Sequence, residues 1–362
     1  MRILLLAGEE SGVMYANRIA EAIRGKDPSA EIRGYGDSGF RTGDLAVMGL
    51  GQVLKRIFYF LRVKRTMERV IDEWRPDAVC TVDYPGLNLK LAAYAKKRGI
   101  RAVHVVCPQV WAWKKGRIPK IEASLDRLCC FFPFEPELFK PGFAEFVGHP
   151  LVDEMQDLAA KGHKEGAEKV LAVLPGSRMG EIEKILPTAL EVVEKLQREI
   201  SGLAVVIPAA NDRAYRAISS CVSRLKSSSL SITHGGARAA LREADAAIVA
   251  SGTATLEAAL AGCPTVLVYR VGWLFAFLAR RFIKGIRHIG LANIIAEKSG
   301  VACPMPELLQ EDFTAVNILR YVDPWLRDAA ANAAARQSLA ETMKLLKSDG
   351  GAIGRIANCV LA

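Results

Sequence analysis

Two short stretches in the carboxy-terminal half carry residues suited to holding an anion. In LPGSRMGE, Leu174 to Glu181, Pro175-Gly176-Ser177 reads as a tight turn, and a helix opens with Arg178 in its first turn. That end of a helix already carries positive partial charge, so an arginine there makes electrostatic sense if an anion joins it. A phosphate oxygen can meet the guanidinium and the free helix N–H groups together. In ASGTATLE, Ala250 to Glu257, the residues Ser251, Gly252, Thr253 and Thr255 offer backbone and hydroxyl donors at a second helix start. Glu257, one turn further in, lies on the face where a carboxylate accepts from two neighbouring hydroxyls, the pair that a ribose presents. Two such turns point to a nucleotide diphosphate joined to something else, and a nucleotide sugar fits. The plainer alternatives stay open: a solvated arginine at 178, and Ser/Thr capping with an ordinary acid at 257.

The amino-terminal half holds a different set. TVDYPGLN places Asp83 at the end of a buried-looking strand, where an acid is positioned for general-base work; a plain N-cap is the alternative. AGEESG puts the small residues Gly8, Ser11 and Gly12, with Glu9, at the first strand's end, a ligand-approach turn or an ordinary connection. CPQVWAWKKGR sets Trp111 and Trp113 before Lys114, Lys115 and Arg117, which reads as a sugar- or lipid-facing wall with a basic edge, or as core packing beside a solvated turn. His149 in FVGHP stands at a further strand end, where a lone histidine is more often structural. The segment Val53–Val70 alternates Phe58 and Leu61 with Arg62 and Arg65, the pattern of a basic amphipathic helix for a membrane interface with anionic head groups or of a core helix with a basic face. Trp273–His288 repeats the basic-aromatic composition. These runs look too buried to be nucleic-acid stacking platforms. GYGDSG, Gly34 to Gly39, matches a dinucleotide fingerprint but follows the second strand with no strong helix after it, and no P-loop is present.

The elements that must carry these turns alternate. Strand-like runs fall at Arg2–Leu6, Glu31–Tyr35, Ala78–Val82, Ala102–Val106, Arg127–Phe132 and Glu145–Val147, then at Lys169–Leu174, Ala204–Pro208, Leu230–Thr233, Ala246–Ala250 and Thr265–Tyr269. Near-continuous Val/Ile/Leu/Ala runs separated by helical segments imply parallel strands covered on both faces, in an α/β chain with two doubly wound sheets. The charged stretch Asp157–Lys169 is the expected join, giving domains at 1–160 and 165–345, with a last helix near 350–362 expected to pack back on the first. Pro324–Lys347 reads as one long helix. A net charge of +10 on 362 residues favours an anionic partner. The eight cysteines form no C-x-x-C pair or Cys/His cluster, so neither zinc nor a disulfide framework is expected, and reduced thiols in the cytosol fit. No apolar run reaches the length of a membrane span.

These blocks, in this order, resemble the lipid-A-disaccharide synthase family of GT-B glycosyltransferases. The resemblance runs through AGEESG, LAVMGLGQVL, VDYPGLNLKLA, PQVWAWKKGRIPKI, FPFEPELF, FVGHPLVDE, LPGSRMGEIEKILP, ASGTATLEAAL, VLVYRV and LLQEDFT. It implies two Rossmann-like domains facing across a cleft. The implied reaction joins UDP-2,3-diacylglucosamine to 2,3-diacylglucosamine 1-phosphate, both acylated and anionic, by inversion. No cofactor or metal is implied, and no D-x-D motif is present. By position, Asp83 falls on the family's catalytic base and Arg178 on the arginine that offsets diphosphate charge. Ser251, Gly252, Thr253 and Glu257 match its UDP-binding turn, and Asn293 matches the asparagine of its leucine-rich block. The resemblance also implies a peripheral position on the cytoplasmic face of the inner membrane, with homo-oligomer formation left open. Val13, Gly86 and Gln52 stand where family members usually carry acids, all in the half that binds the acceptor.

Overall fold

The computed structural model describes residues 1–8, 10–40, 53–112, 115–155, 168–223, 229–270 and 287–362, without the side chains of 10, 11 and 53–57. Glu9, Gln52, Trp113, Lys114, most of the charged join and residues 273–286 of the second basic-aromatic segment therefore lie outside the described residues.

The chain divides into two compact units, Met1–Asp153 with Leu346–Ala362, and Glu154–Leu345. In the first, β1 (Arg2–Ala7), α1 (Glu10–Lys26), β2 (Glu31–Arg33), α2 (Val53–Trp74), β3 (Ala78–Val82), α3 (Pro85–Lys96), β4 (Arg101–Val105), α4 (Ile118–Ser124), β5 (Arg127–Cys130) and β6 (Ala144–Phe146) follow one another, and α5 (Pro150–Met155) spans the boundary at Asp153. The six strands form one sheet in the order β2-β1-β3-β4-β5-β6, and each pair is parallel. Its inner strands are apolar throughout because both faces are covered. Ile3, Leu5 and Ala7 pack with Ile19 and Ile23 of α1, whereas Leu4 and Leu6 turn the other way, toward Met67 and Ile71 of α2 and Leu91 of α3.

The second unit runs β7 (Val170–Leu174), α6 (Met179–Glu199), β8 (Ala204–Ala209), α7 (Asp212–Val222), β9 (Leu230–His234), α8 (Ala237–Glu243), β10 (Ala246–Ala250), α9 (Thr253–Leu260), β11 (Thr265–Tyr269), α10 (Leu291–Lys298), β12 (Glu307–Leu309), α11 (Ala315–Arg327) and α12 (Ala329–Lys344). Its sheet, again parallel, has the order β12-β11-β10-β7-β8-β9. Helix α13 (Ala352–Leu361) belongs to the first unit, where Ile353, Ile356, Ala357 and Val360 join the core around Ile3 and Ile19.

Two features differ from the sequence reading. The single helix expected over Pro324–Lys347 is two, because Asp328 is extended between them and its carboxylate accepts from the Ala330 N–H at 2.8 Å, starting α12 afresh. Pro324 lies inside α11 instead of opening a helix. Strand β12 escaped notice because three edge residues carry no readable alternation.

Candidate functional site

Each sheet has one point where the chain leaves a strand in one direction and later returns to its other side. Such a point opens a crevice at the carboxyl ends of the strands, where ligands bind in doubly wound folds. In the second unit it lies between β7 and β10, whose last register pair is Val249↔Leu174. The LPGSR turn leaves β7 there and the SGT turn leaves β10. Two stretches far apart in sequence thus meet around one cavity of about 350 Å³, lined by Gly176, Ser177, Arg178, Ser251, Thr253 and Glu257 among others. Gly252 lines it as well, at the N-cap of α9.

Arg178 is the N-cap of α6 and remains mostly exposed, its Nη1 donating to Glu181 Oε1 at 2.9 Å. The arginine therefore already has an anion, one turn away in its own helix, which sequence reasoning did not anticipate. Glu181 also sits over Gly176: a Cβ on that glycine, whose φ is +108°, would come within 2.5 Å of Glu181 Oε2. The same carboxylate receives the Arg178 N–H at 3.4 Å, while the Glu181 N–H donates to the Arg178 carbonyl at 3.0 Å. Ser177 and Thr253 are exposed and, with the start of α9, line this cavity.

Thr255 is fully buried and donates to the Gly252 carbonyl at 2.7 Å, so it braces the turn and is not open to a ligand. Glu257 accepts from Arg238 Nε at 2.8 Å, and Arg238 Nη1 reaches Glu154 at 3.0 Å. Burial works against the charge on Arg238, but the two carboxylates outweigh it and raise its pKa. The sequence reading missed this contact, because Arg238 stands on a short helix between two unremarkable strands and gave no signal. Asn293 stands apart from this cavity. It is buried, with Nδ2 donating to Met305 O at 2.7 Å and Glu307 Oε1 at 2.8 Å, and Oδ1 accepting from Met305 N at 3.0 Å. Its amide ties α10 to Met305 and to Glu307 at the start of β12.

In the first unit the switch point lies between β1 and β3, where Ala7 pairs with Val82. Asp83 and Tyr84 follow with φ of +49° each, two consecutive left-handed residues before Pro85. Such backbone costs about 1–3 kcal/mol per residue unless its surroundings enforce it. Asn88, fully buried one turn into α3, does so: its Nδ2 donates to Asp83 O at 2.8 Å, Val82 O at 3.1 Å and Leu6 O at 3.3 Å. Tyr35, whose hydroxyl burial pushes far above its ordinary pKa, donates to Asn88 Oδ1 at 2.7 Å. The Asp83 carboxylate is half-buried, and among the described residues none pairs with it. The turn also throws Tyr84 over Gly8, where a Cβ would lie 2.5 Å from its ring. Gly8 is thus required by Tyr84, and the space expected for a ligand there is filled. Gly12 is buried under Val82, at ordinary contact distance, and Ser11 is placed only by its backbone.

Trp111 corrects another expectation. Only 9% exposed, it turns its indole N–H to buried Glu135 at 3.2 Å and packs edge-on against Phe134, so it faces the core and not a lipid or solvent. Burial pushes Glu135 up to about 8. Cys107 and Cys130 lie beside it, the one set of described residues whose ligand atoms gather closely enough for a metal. The neighbouring Cys107 thiol and burial hold Cys130 well above the thiol range, and both Glu135 oxygens already accept, from Trp111 and from Phe132 N at 3.1 Å. That chemistry suits a packed neutral cluster better than a metal centre. His149 is buried, with Nδ1 accepting from Leu151 N at 3.1 Å, and burial lowers it to about 4. The GYGDSG stretch forms a short 3-10 turn closed by Gly34 N–H on Asp37 at 2.6 Å. On α2, Phe58 is 74% and Leu61 41% exposed, with Arg62 and Arg65 on the same outer face while Val63, Met67 and Ile71 are buried. Among the described residues no helix is long and apolar enough to cross a membrane.

The chain matches the family described as lipid-A-disaccharide synthetase over residues 3–349. It is 33% identical over 378 residues to the lipid-A-disaccharide synthase of Trichlorobacter lovleyi, covering 100% of this chain and 97% of that one. It is 38% identical over 351 residues to the enzyme of the same name from Burkholderia mallei, covering 91% and 88%. Among solved structures, the glycotransferase of kitacinnamycin has the same fold, with a TM-score of 0.63 at 14% identity over 99% of this chain and 97% of that one. Two parallel six-stranded sheets, their switch-point turns and this similarity along nearly the whole chain agree: the chain belongs to the lipid-A-disaccharide synthetase family, GT-B glycosyltransferases of lipid A biosynthesis.

Proposed function

We propose that the chain transfers the sugar of UDP-2,3-diacylglucosamine to the 6-hydroxyl of 2,3-diacylglucosamine 1-phosphate, releasing UDP and forming a β-1,6-linked disaccharide. The observation that carries this reading is the convergence of the LPGSR and SGT turns on one cavity with exposed hydroxyls and a carboxylate, Glu257, at its side. The diphosphate meets the α9 start and Arg178, and Glu257 accepts from the ribose. Asp83 takes the proton of the acceptor hydroxyl as that oxygen bonds to the anomeric carbon. As that bond forms, the bond from this carbon to the diphosphate breaks, its electrons leave with UDP, and the configuration inverts. Arg178 and the helix N–H groups offset the charge that develops on the leaving group, work that a divalent ion does in other enzymes. The exposed Phe58 and Leu61, bordered by Arg62 and Arg65, seat the protein on an anionic membrane surface, the cytoplasmic face of the inner membrane in this reading.

The test is UDP release from the donor, with and without the phosphorylated acceptor, for wild type and Asp83→Asn. Asparagine tolerates the left-handed backbone, so the variant removes the base and keeps the turn. Release that needs the acceptor and falls at least a hundredfold in the variant is expected. Release that the substitution leaves untouched rules out Asp83 as the base.

A further inference from the structure

A second cavity, of about 480 Å³, lies in the first unit between α3 and α4. Both helices start at the carboxyl end of the sheet. Pro85 and Gly86, which open α3 directly after the Asp83–Tyr84 turn, line the upper end of this groove. From Gly86 it follows α3 past Leu89 to Ala93, about 10 Å at 1.5 Å per residue. Ile121 of α4 faces it from the other side. Leu89 and Ile121 are buried and Ala93 is half-buried, so the floor is apolar.

Three cations line the same groove: Lys90, Arg117 and Lys120. No described carboxylate pairs with any of them, although Lys96, two turns down α3, is held by Asp126 at 3.2 Å. Like charges gathered without a counter-ion repel one another, a cost that an incoming anion removes. A greasy floor under an unpaired basic rim suits a ligand with an alkyl tail and a phosphate. A membrane surface is the less apt occupant, because this site is concave and takes single chains, whereas Phe58 and Leu61 stand outward.

We infer that this groove is the acceptor subsite. An acyl chain of the acylated sugar phosphate lies along Leu89, Ala93 and Ile121, and its phosphate sits among Lys90, Arg117 and Lys120. The placement leaves the sugar beside the Asp83 turn. The inference rests on the reaction proposed above.

The experiment titrates the acylated glucosamine 1-phosphate in detergent micelles against wild type, Lys90→Gln/Lys120→Gln and Ala93→Trp, reading UDP release. Both lysines are exposed, so the double variant keeps its fold. Expected is a tenfold or larger rise in acceptor KM in both variants, with donor KM within twofold of wild type. Unchanged acceptor KM, or an equal rise in both constants, overturns the assignment. So does loss of binding to anionic vesicles with acceptor KM unchanged, which would make the groove a membrane contact. A photolabel separates this inference from the reaction itself. An acylated glucosamine 1-phosphate with a diazirine in its chain should label peptides containing Leu89–Ala93 or Ile121 in wild type and not in the double variant. Labelling elsewhere overturns the subsite. A wild type that releases no UDP, yet labels at Leu89–Ala93, keeps the groove and discards the reaction.

Discussion

Asn88 donates to the carbonyl of Asp83 at 2.8 Å, and through the same nitrogen to the carbonyls of Leu6, next to last in β1, and Val82, last in β3. One buried amide therefore holds two strand ends and the left-handed turn that presents the proposed base. Asn88→Ala would leave these carbonyls and the Tyr35 hydroxyl without their partner, at about 1–3 kcal/mol for each unsatisfied group that stays dry. We expect a loss of about 2–4 kcal/mol in urea denaturation. Transfer should fall much further than the folded fraction does, because the turn relaxes. Tyr35→Phe removes one bond and should cost about 1 kcal/mol. Equal activity per folded molecule in Asn88→Ala would separate the turn from catalysis.

Glu181 occupies the turn where a diphosphate is proposed to bind and neutralises Arg178. An incoming diphosphate must displace that carboxylate. Glu181→Gln keeps much of the capping geometry without the charge, so UDP should bind several-fold more tightly in calorimetry. Arg178→Ala should weaken UDP about tenfold with little change in melting temperature, since exposed side chains contribute little to stability. Weaker UDP binding in Glu181→Gln would show that the carboxylate supports the site.

Phe58 and Leu61 are exposed, so serine at both positions should leave the melting temperature within a degree or two. Retention on anionic vesicles, measured by co-sedimentation, should fall at least tenfold, because two large apolar side chains no longer enter the interface. Unaltered retention would remove α2 from membrane contact.

Buried titrating groups act on stability from both sides of neutrality. Burial lowers His104 to about 3 and His149 to about 4, below the ordinary 6.5. Their contribution is present above pH 6.5 and is lost as pH falls through the folded values, because only the unfolded chain takes up the protons. Glu135, raised from 4.5 to about 8, works the other way: its contribution is whole below pH 4.5 and disappears as pH rises toward 8. At about 1.4 kcal/mol per unit this is on the order of 3–5 kcal/mol. Glu135→Gln should therefore gain stability relative to wild type between pH 5 and pH 8 and leave the acid limb alone. Parallel melting-temperature curves over that range would contradict the account.

The strands and the turns that leave their ends were legible because their signals are local. A buried parallel strand is an apolar run, and a turn that must leave its end uses Gly, Pro, Ser or Thr. Long-range pairings were not legible. Arg238 meets Glu257 19 positions away and Glu154 84 away, distances over which no spacing rule operates. The indole of Trp111 fits a lipid wall or a core equally well until Glu135 comes within reach of its N–H. Asn293 shows the same limit, since only the folded loop to Met305 reveals that its amide is already used. Arg178 looked short of an anion because the helix-terminus argument weighed the backbone and overlooked Glu181 three residues on.

Helix α13 gives the first unit an unusual place in time. Its residues Ile353, Ile356 and Val360 close the core around Ile3, Ile19 and Ile23, yet they follow the entire second unit in the chain. At roughly 5–20 residues per second, a ribosome needs about 10–40 s to make Glu154–Leu345 after Asp153 has emerged. During that interval the second unit is free to fold by itself, while the apolar face that will receive α13 stays uncovered. The half that carries Asp83 is begun first and finished last, although Leu6, Tyr35 and Asn88, which brace its turn, all precede the second unit in the chain.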